Sequence, residues 1–149
     1  MSNMIIPTLR YRDAPKMMQW LCDAFGFEKH FIVEDGHGGL SHAQLTIAGS
    51  MIMLGSARDD EFGRLLSTPQ ALGGTTQSAY IVVANADDVC VKATAAGAKM
   101  VRPIQDEDYG GRAFSCQDPE GHLWILTLII RGQHRPDIRP QQPRIGAPS

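Results

Sequence analysis

LRYRDAPKMMQWLCDAFGF, residues 9–27, contains a strand end, a complete helix and both of the helix's boundary signals. Residues 4–11 are rich in Ile and Leu and carry Pro7 near the start, where a first or edge strand tolerates a missing donor. Asp13 then stands where an N-cap belongs, with Ala14 and Pro15 as early helical residues. Met17, Met18, Leu21 and Phe25 recur at helical spacing until Gly26 ends the run. Residues 27–34, 42–47 and 51–54 follow as three short strands. Asp35-Gly36 with Gly38-Gly39 separates the first two, and Ala48-Gly49-Ser50 the last two. The order is β-α-β-β-β.

The same order begins again after a connector, with a strand at 79–83, a helix at 87–96 closed by Gly97, and strands at 99–104, 112–117 and 122–130. Helix end registers on helix end, Ala24-Phe25-Gly26-Phe27 over Ala95-Ala96-Gly97-Ala98. Last strand registers on last strand, Met51-Ile52-Met53-Leu54 over Leu123-Trp124-Ile125-Leu126. One βαβββ unit is used twice, at about 4–56 and 77–130, joined by a connector at 57–76. The fold class is α+β: two curved mixed sheets, each with a helix on one face, forming one domain over 1–130 whose inner faces enclose a concave cavity. The connector holds Asp59-Asp60-Glu61, Leu65-Leu66, Pro69 and Gly73-Gly74, and reads as a surface segment with one helical turn able to act as a lid.

Residues 131–149 are different material, with four Pro, four Arg and no aromatic, and cannot build a core. That tail is net basic, while residues 1–130 hold 10 basic against 15 acidic side chains. Across all 149 residues the net charge is -2, and no basic stripe offers the phosphate-neutralising footprint of a nucleic-acid binder. Three cysteines, Cys22, Cys90 and Cys116, fit neither a disulfide framework nor a CxxC metal spacing, so a reducing cytoplasm is the expected setting. No apolar run is long enough for a signal peptide or a membrane span. GxSxG, P-loop and strand–GxGxxG–helix fingerprints are missing from the sequence, which removes the common hydrolase and nucleotide-binding readings.

The Asp118-Pro119-Glu120-Gly121 turn joins the last two strands tightly: Asp118 bonds nearby backbone, Pro119 presets φ and Gly121 supplies a positive φ. Together with HAQLTIAGSMIMLG and YGGRAFSCQDPEGHLW, the opening stretch resembles the vicinal oxygen chelate superfamily, which includes glyoxalase I, bleomycin-resistance proteins, extradiol dioxygenases and fosfomycin-modifying enzymes. Within it, the small glyoxalase/bleomycin-resistance-like proteins of the PhnB-like branch are the most similar. The resemblance covers roughly residues 5–130.

Metal-dependent members of that superfamily hold a divalent ion in the concave half-barrel, with ligands on the first and last strands of each module. The resemblance places those positions near Ile6, Met53, Ser78 or Tyr80, and Ile125, none of which is His, Glu or Asp. Neither a metal nor another cofactor is therefore expected. His30 and His37 read as loop or strand-edge residues and His134 falls in the tail. His42 and His122 fall inside strands, where a one-residue slip would bring either to the cavity. The resemblance also implies a homodimer whose sites are closed by the second subunit.

The candidate binding residues are Thr8, Gln44, Met51, Met53, Tyr80, Tyr109, Arg112 and Ile125. Methionine and tyrosine suit an apolar ligand with one or two polar handles, and Tyr80, Trp124 or Tyr109 would report it by fluorescence. Arg112 reads either as a bidentate carboxylate clamp or as a salt bridge fixing a strand edge. Cys116 alternates with Phe114 inside a strand and reads as a buried, inert thiol. Two functions follow: a module binding a small hydrophobic or aromatic molecule without chemistry, or a metal-dependent, lactoylglutathione-lyase-like lyase or isomerase. The unsuitable residues at the ligand positions favour the first.

Overall fold

Asp13 opens the first helix as expected: its side chain accepts from the Lys16 amide, and Gly26 closes the helix in the left-handed region at φ 86°. The computed structural model describes residues 3–129, so the tail at 131–149 lies outside the described residues. In chain order the elements are β1 (Thr8–Tyr11), α1 (Ala14–Phe25), β2 (Glu28–Glu34), β3 (Leu40–Ile47) and β4 (Ser50–Ser56). The short α2 (Pro69–Leu72) lies in the connector. The second set is β5 (Ala79–Val82), α3 (Ala86–Ala95), β6 (Lys99–Asp106), β7 (Arg112–Gln117) and β8 (Leu123–Leu128). The strands form two four-stranded sheets of identical topology, β1-β4-β3-β2 and β5-β8-β7-β6.

In each sheet the first strand lies parallel to the last and the other neighbours are antiparallel. The internal repeat is thus a repeat of structure. β1 begins later than its sequence suggests, because Pro7 contributes only a carbonyl, which accepts from the Met53 amide at 2.8 Å.

Alternation sorts each sheet into two faces. Tyr11, Ala43, Leu45, Ile52 and Leu54 pack under Met17, Leu21 and Phe25 of α1. In the second module Ile81, Phe114, Cys116, Trp124 and Leu126 are buried with Ala93 of α3. One core serves both modules. Phe25 and Phe27 meet Trp124 at ring-centroid distances of 5.3 and 6.1 Å, and the Trp20 indole N–H donates to the Ala96 carbonyl at 2.7 Å. Aromatic pairs of this kind contribute about 0.5–1.5 kcal/mol each beyond the area they bury.

The DPEG turn fastens the modules together, a role its sequence does not display. Asp118 is buried, and its carboxylate accepts from the Tyr11 hydroxyl at 2.6 Å and the Trp124 indole N–H at 3.0 Å. It also accepts from the amides of Glu120 and His122 at 3.0 and 3.1 Å. The Glu120 carboxylate accepts from the Arg12 and Asp13 amides at 2.6 and 2.9 Å, at the entrance to α1, and from the Gln70 side chain of α2 at 3.2 Å. Second-module carboxylates therefore satisfy donors of the first module and of the connector, where a buried donor left alone would cost about 1–3 kcal/mol.

Candidate functional site

The sheet faces turned away from the helices carry most of the expected binding residues, in two equivalent rows. On the first sheet Thr8 is registered with Met53, Met53 with Gln44, and Gln44 with Phe31. On the second, Tyr80 is registered with Ile125 and Ile125 with Ser115. Thr8 and Tyr80 are thus equivalent, as are Met53 and Ile125. The first-strand position beside Met53 is Thr8, two residues beyond the Ile6 that registration on Asp13 suggests. Met51 shares the face of Met53, registered with Thr46.

Each face is covered within the chain only at one end, where Tyr109 lies over Thr127 and Phe62 beside Arg10. Phe31, Tyr80 and Val82 are 54%, 55% and 56% exposed, against 8% for Ile81, which lies between the last two on the helix side of β5. Two sheets facing each other across a shared cavity would not leave these side chains open. The modules instead join through their helix sides, and the open faces remain as surfaces.

Tyr109 reaches the open face of the second sheet. Its hydroxyl is 3.1 Å from the Thr127 hydroxyl, and its ring lies over Gly111, where a Cβ would come within 2.6 Å of the ring. Burial pushes the Tyr109 hydroxyl above its ordinary pKa, Thr127 opposes this, and neighbouring Tyr80 adds to it.

Arg112 is elsewhere. It points to the helix side, where its guanidinium meets Asp87 of α3 at 2.9 Å and Asp106 of β6 at 3.1 Å, so the structure realises the salt bridge. Trp124 is fully buried on the helix side, with its N–H committed to Asp118, so it does not belong beside Tyr80 and Tyr109 as a reporter.

His122 lies just before β8. Its Nε2 is 2.8 Å from the Arg10 carbonyl and its ring packs against Tyr11 at 4.7 Å, a structural role. His42 is registered with Val33 and its ring stands 6.3 Å from Phe31. Among the described residues no three His, Cys, Asp or Glu side chains form a group able to hold a metal ion. No helix there is long and apolar enough to cross a membrane. Cys116 is buried, and burial, with Asp118 adding, pushes its thiol up to about 12.

Residues 4–126 match the family described as the Glyoxalase/Bleomycin resistance protein/Dioxygenase superfamily. The chain belongs to that superfamily. An uncharacterised protein of Mycobacterium bovis is 31% identical over 133 residues, covering 89% of this chain and 88% of the relative. The solved structure of TioX from Micromonospora is 28% identical with a TM-score of 0.66, covering 89% of this chain and all of that one. A genomically encoded fosfomycin resistance protein, FosX from Listeria monocytogenes, shares the fold at 19% identity with a TM-score of 0.63, covering 88% and 96% of the two chains.

This member of the superfamily also has a cleft that the sequence does not reveal. A cleft of about 270 Å³ lies where the first strands of the two modules approach each other. Thr8, Leu9 and Arg10 of β1 form one side, His122 and Leu123 the other, and Leu65 to Leu72 of the connector part of its wall. Thr8 alone of the eight expected binding residues lines it. α2 supplies the expected single helical turn, capped by Thr68 and ended by Gly73 in the left-handed region at φ 76°.

Proposed function

We propose that the protein is a metal-independent binding member of its superfamily, working as a homodimer that takes a small hydrophobic or aromatic molecule between the open sheet faces of two copies. The observation that carries this reading is the composition of the two uncovered rows. Thr8, Met53, Gln44 and Phe31 on one sheet and Tyr80, Ile125 and Ser115 on the other combine apolar surface with neutral polar handles. Contiguous exposed apolar surface rimmed by polar groups marks an interaction site.

The four positions equivalent between modules, Thr8, Met53, Tyr80 and Ile125, offer no carboxylate or imidazole. Mg, Mn, Ni, Fe(II) and Zn need oxygen and nitrogen ligands of that kind, and burying a dication without them leaves its desolvation uncompensated. This donor set does not fit a divalent ion. Binding without Lewis-acid chemistry is the function that remains for these faces.

In a twofold dimer the first sheet of one copy would oppose the second sheet of the other, giving two identical sites. Met53, Tyr80 and Tyr109 would then supply the apolar and aromatic walls, and Gln44 and Thr8 the polar handles. The test is calorimetric titration with a panel of planar aromatic compounds. One saturable site per chain is expected, weakened about tenfold or more by Met53→Arg or Tyr80→Ala, with no dependence on added Ni, Zn or Mn. A stoichiometric divalent ion in protein purified without chelator, together with lyase activity on a methylglyoxal–glutathione adduct, would overturn it.

A further inference from the structure

The open face of the first sheet ends at a positive charge without a counter-charge. Arg10 is registered with Gly55 as Thr8 is with Met53, so strand alternation puts Arg10 on the face of Thr8, Met53 and Gln44, about 7 Å further along β1 than Thr8. Gly55 lets the guanidinium lie across β4, since a Cβ there would meet Arg10 Nη1 at 2.5 Å. Arg10 is only 6% exposed, yet none of the ion pairs among the described residues involves it, and its Nε has no hydrogen-bond partner. Its guanidinium lies 5.9 Å from the Phe62 ring centre, while Arg58 stands 5.8 Å from the same ring and is held by Asp60. Burial and the neighbouring Arg58 both lower the Arg10 pKa, and Asp60 only partly offsets them. A ring face compensates a cation by much less than its removal from water costs.

We propose that the molecule taken by the open faces is an aromatic carboxylate, its ring over Met53 and Gln44 and its carboxylate paired with Arg10. This rests on the open-face reading and names the class of ligand those faces take. Guanidinium pairs with a planar carboxylate through two parallel hydrogen bonds, and one negative charge matches the one uncompensated positive charge. A carboxyl group attached directly to one or two fused rings spans the step from the Thr8–Met53 row to Arg10. In the twofold pairing the facing row of Tyr80, Ile125 and Ser115 supplies no carboxylate. Glu107, beside Tyr109, is held by Arg102. The counter-charge is therefore left to the ligand.

Calorimetry of the full chain with three compounds of one shape and different charge, 2-naphthoate, 2-naphthamide and 2-naphthamidine, tests it. Naphthoate is expected to saturate its site at least about tenfold more tightly than the neutral naphthamide, with the cationic naphthamidine weaker still. Inorganic phosphate, an anion without the ring, should bind at least about tenfold more weakly than naphthoate. Arg10→Met should bring naphthoate down to the affinity of naphthamide. Thr8→Glu sets a carboxylate of the chain itself one step along the same face. It should abolish the preference for naphthoate with Arg10 intact, and serves if the Arg10 variant fails to fold.

Tyr80→Ala separates this proposal from the reading it rests on, because it should weaken naphthoate and naphthamide alike. Equal affinity for the two, both weakened by Tyr80→Ala, would leave the open-face reading standing and overturn the carboxylate. Saturable binding of neither compound would overturn both. Phosphate binding as tightly as naphthoate, or a naphthoate preference indifferent to Arg10→Met and Thr8→Glu, would also overturn the proposal.

Discussion

The Tyr11 hydroxyl donates to the Asp118 carboxylate at 2.6 Å across 107 residues, tying the first strand of one module to the last hairpin of the other. Asp118 also serves the Trp124 indole and two backbone amides, so its removal would leave four donors short of an acceptor. We expect Asp118→Ala to lower unfolding stability by about 3 kcal/mol or more, measured by urea titration, because several buried donors lose their partner at once. Glu120→Ala should cost less, about 1–2 kcal/mol, because its acceptors serve a helix entrance at the surface. A loss below about 1 kcal/mol for Asp118→Ala would show that the modules hold together without this carboxylate.

The same pair makes a pH prediction. Burial first, then Asp118, raises the Tyr11 hydroxyl well above its ordinary 10.0, and burial raises the Cys116 thiol from 9.0 to about 12. Both groups are neutral when folded but ionise earlier when unfolded, so their stabilisation is complete below the unfolded values and is lost as pH rises. Stability should be level to about pH 8.5 and then fall, with each group adding a slope approaching 1.4 kcal/mol per pH unit. Tyr11→Phe should lower stability at neutral pH and flatten the decline above pH 10. An unaltered slope in that variant would detach Tyr11 from the alkaline transition.

Thiol chemistry should separate the three cysteines. Cys22 and Cys90 are half-buried, with burial raising the Cys22 thiol too, whereas Cys116 is fully buried and its thiol is pushed up to about 12. In a native-state reaction with a chromogenic disulfide at pH 8, two thiols should react within minutes. The third should follow only as the chain opens, because the thiolate is the reactive form. Three equally fast thiols would contradict the packing around Cys116.

Much of this architecture is legible in the sequence, because the helix caps Asp13 and Gly26, the apolar spacing between them and the duplicated element order are all local signals. β7 is legible from its first residue to its last for the same reason. What sequence cannot convey is which sheet face meets the other module. Alternation puts Met53 and Ile52 on opposite faces, but only the aromatic contacts among Phe25, Phe27 and Trp124 decide that the helix sides join and the other faces stay open.

Arg10 and Asp118 are hidden for a related reason. Charged residues read as surface or turn residues unless long-range packing buries them, and one partner of Asp118, Tyr11, lies 107 residues away. Arg112 carried two readings, and Asp87, 25 residues upstream, decides between them. A weak signal for the burial of Arg10 does exist: it precedes Tyr11 in a strand whose other residues are apolar or neutral.

The open faces make the strongest claim about assembly, and complementary charges can test it. If the first sheet of one copy covers the second sheet of the other, a glutamate at Phe31 enters both sites of its homodimer, and so does a lysine at Tyr80. Each variant alone should associate about tenfold more weakly or worse, since a lone charge in an apolar interface is not compensated. Mixing the two is the decisive step. In the mixed dimer one site holds both substitutions, with opposite signs, while the other joins an unaltered Phe31 face to an unaltered Tyr80 face. Light scattering should therefore give monomers for Phe31→Glu and for Tyr80→Lys, and recovery of the dimer mass when they are combined. Face-to-like-face pairing would give a different pattern, because one variant would then retain an unsubstituted interface and stay dimeric by itself. Two variants that both remain dimeric alone would show that the exposed side chains of these sheets have another use.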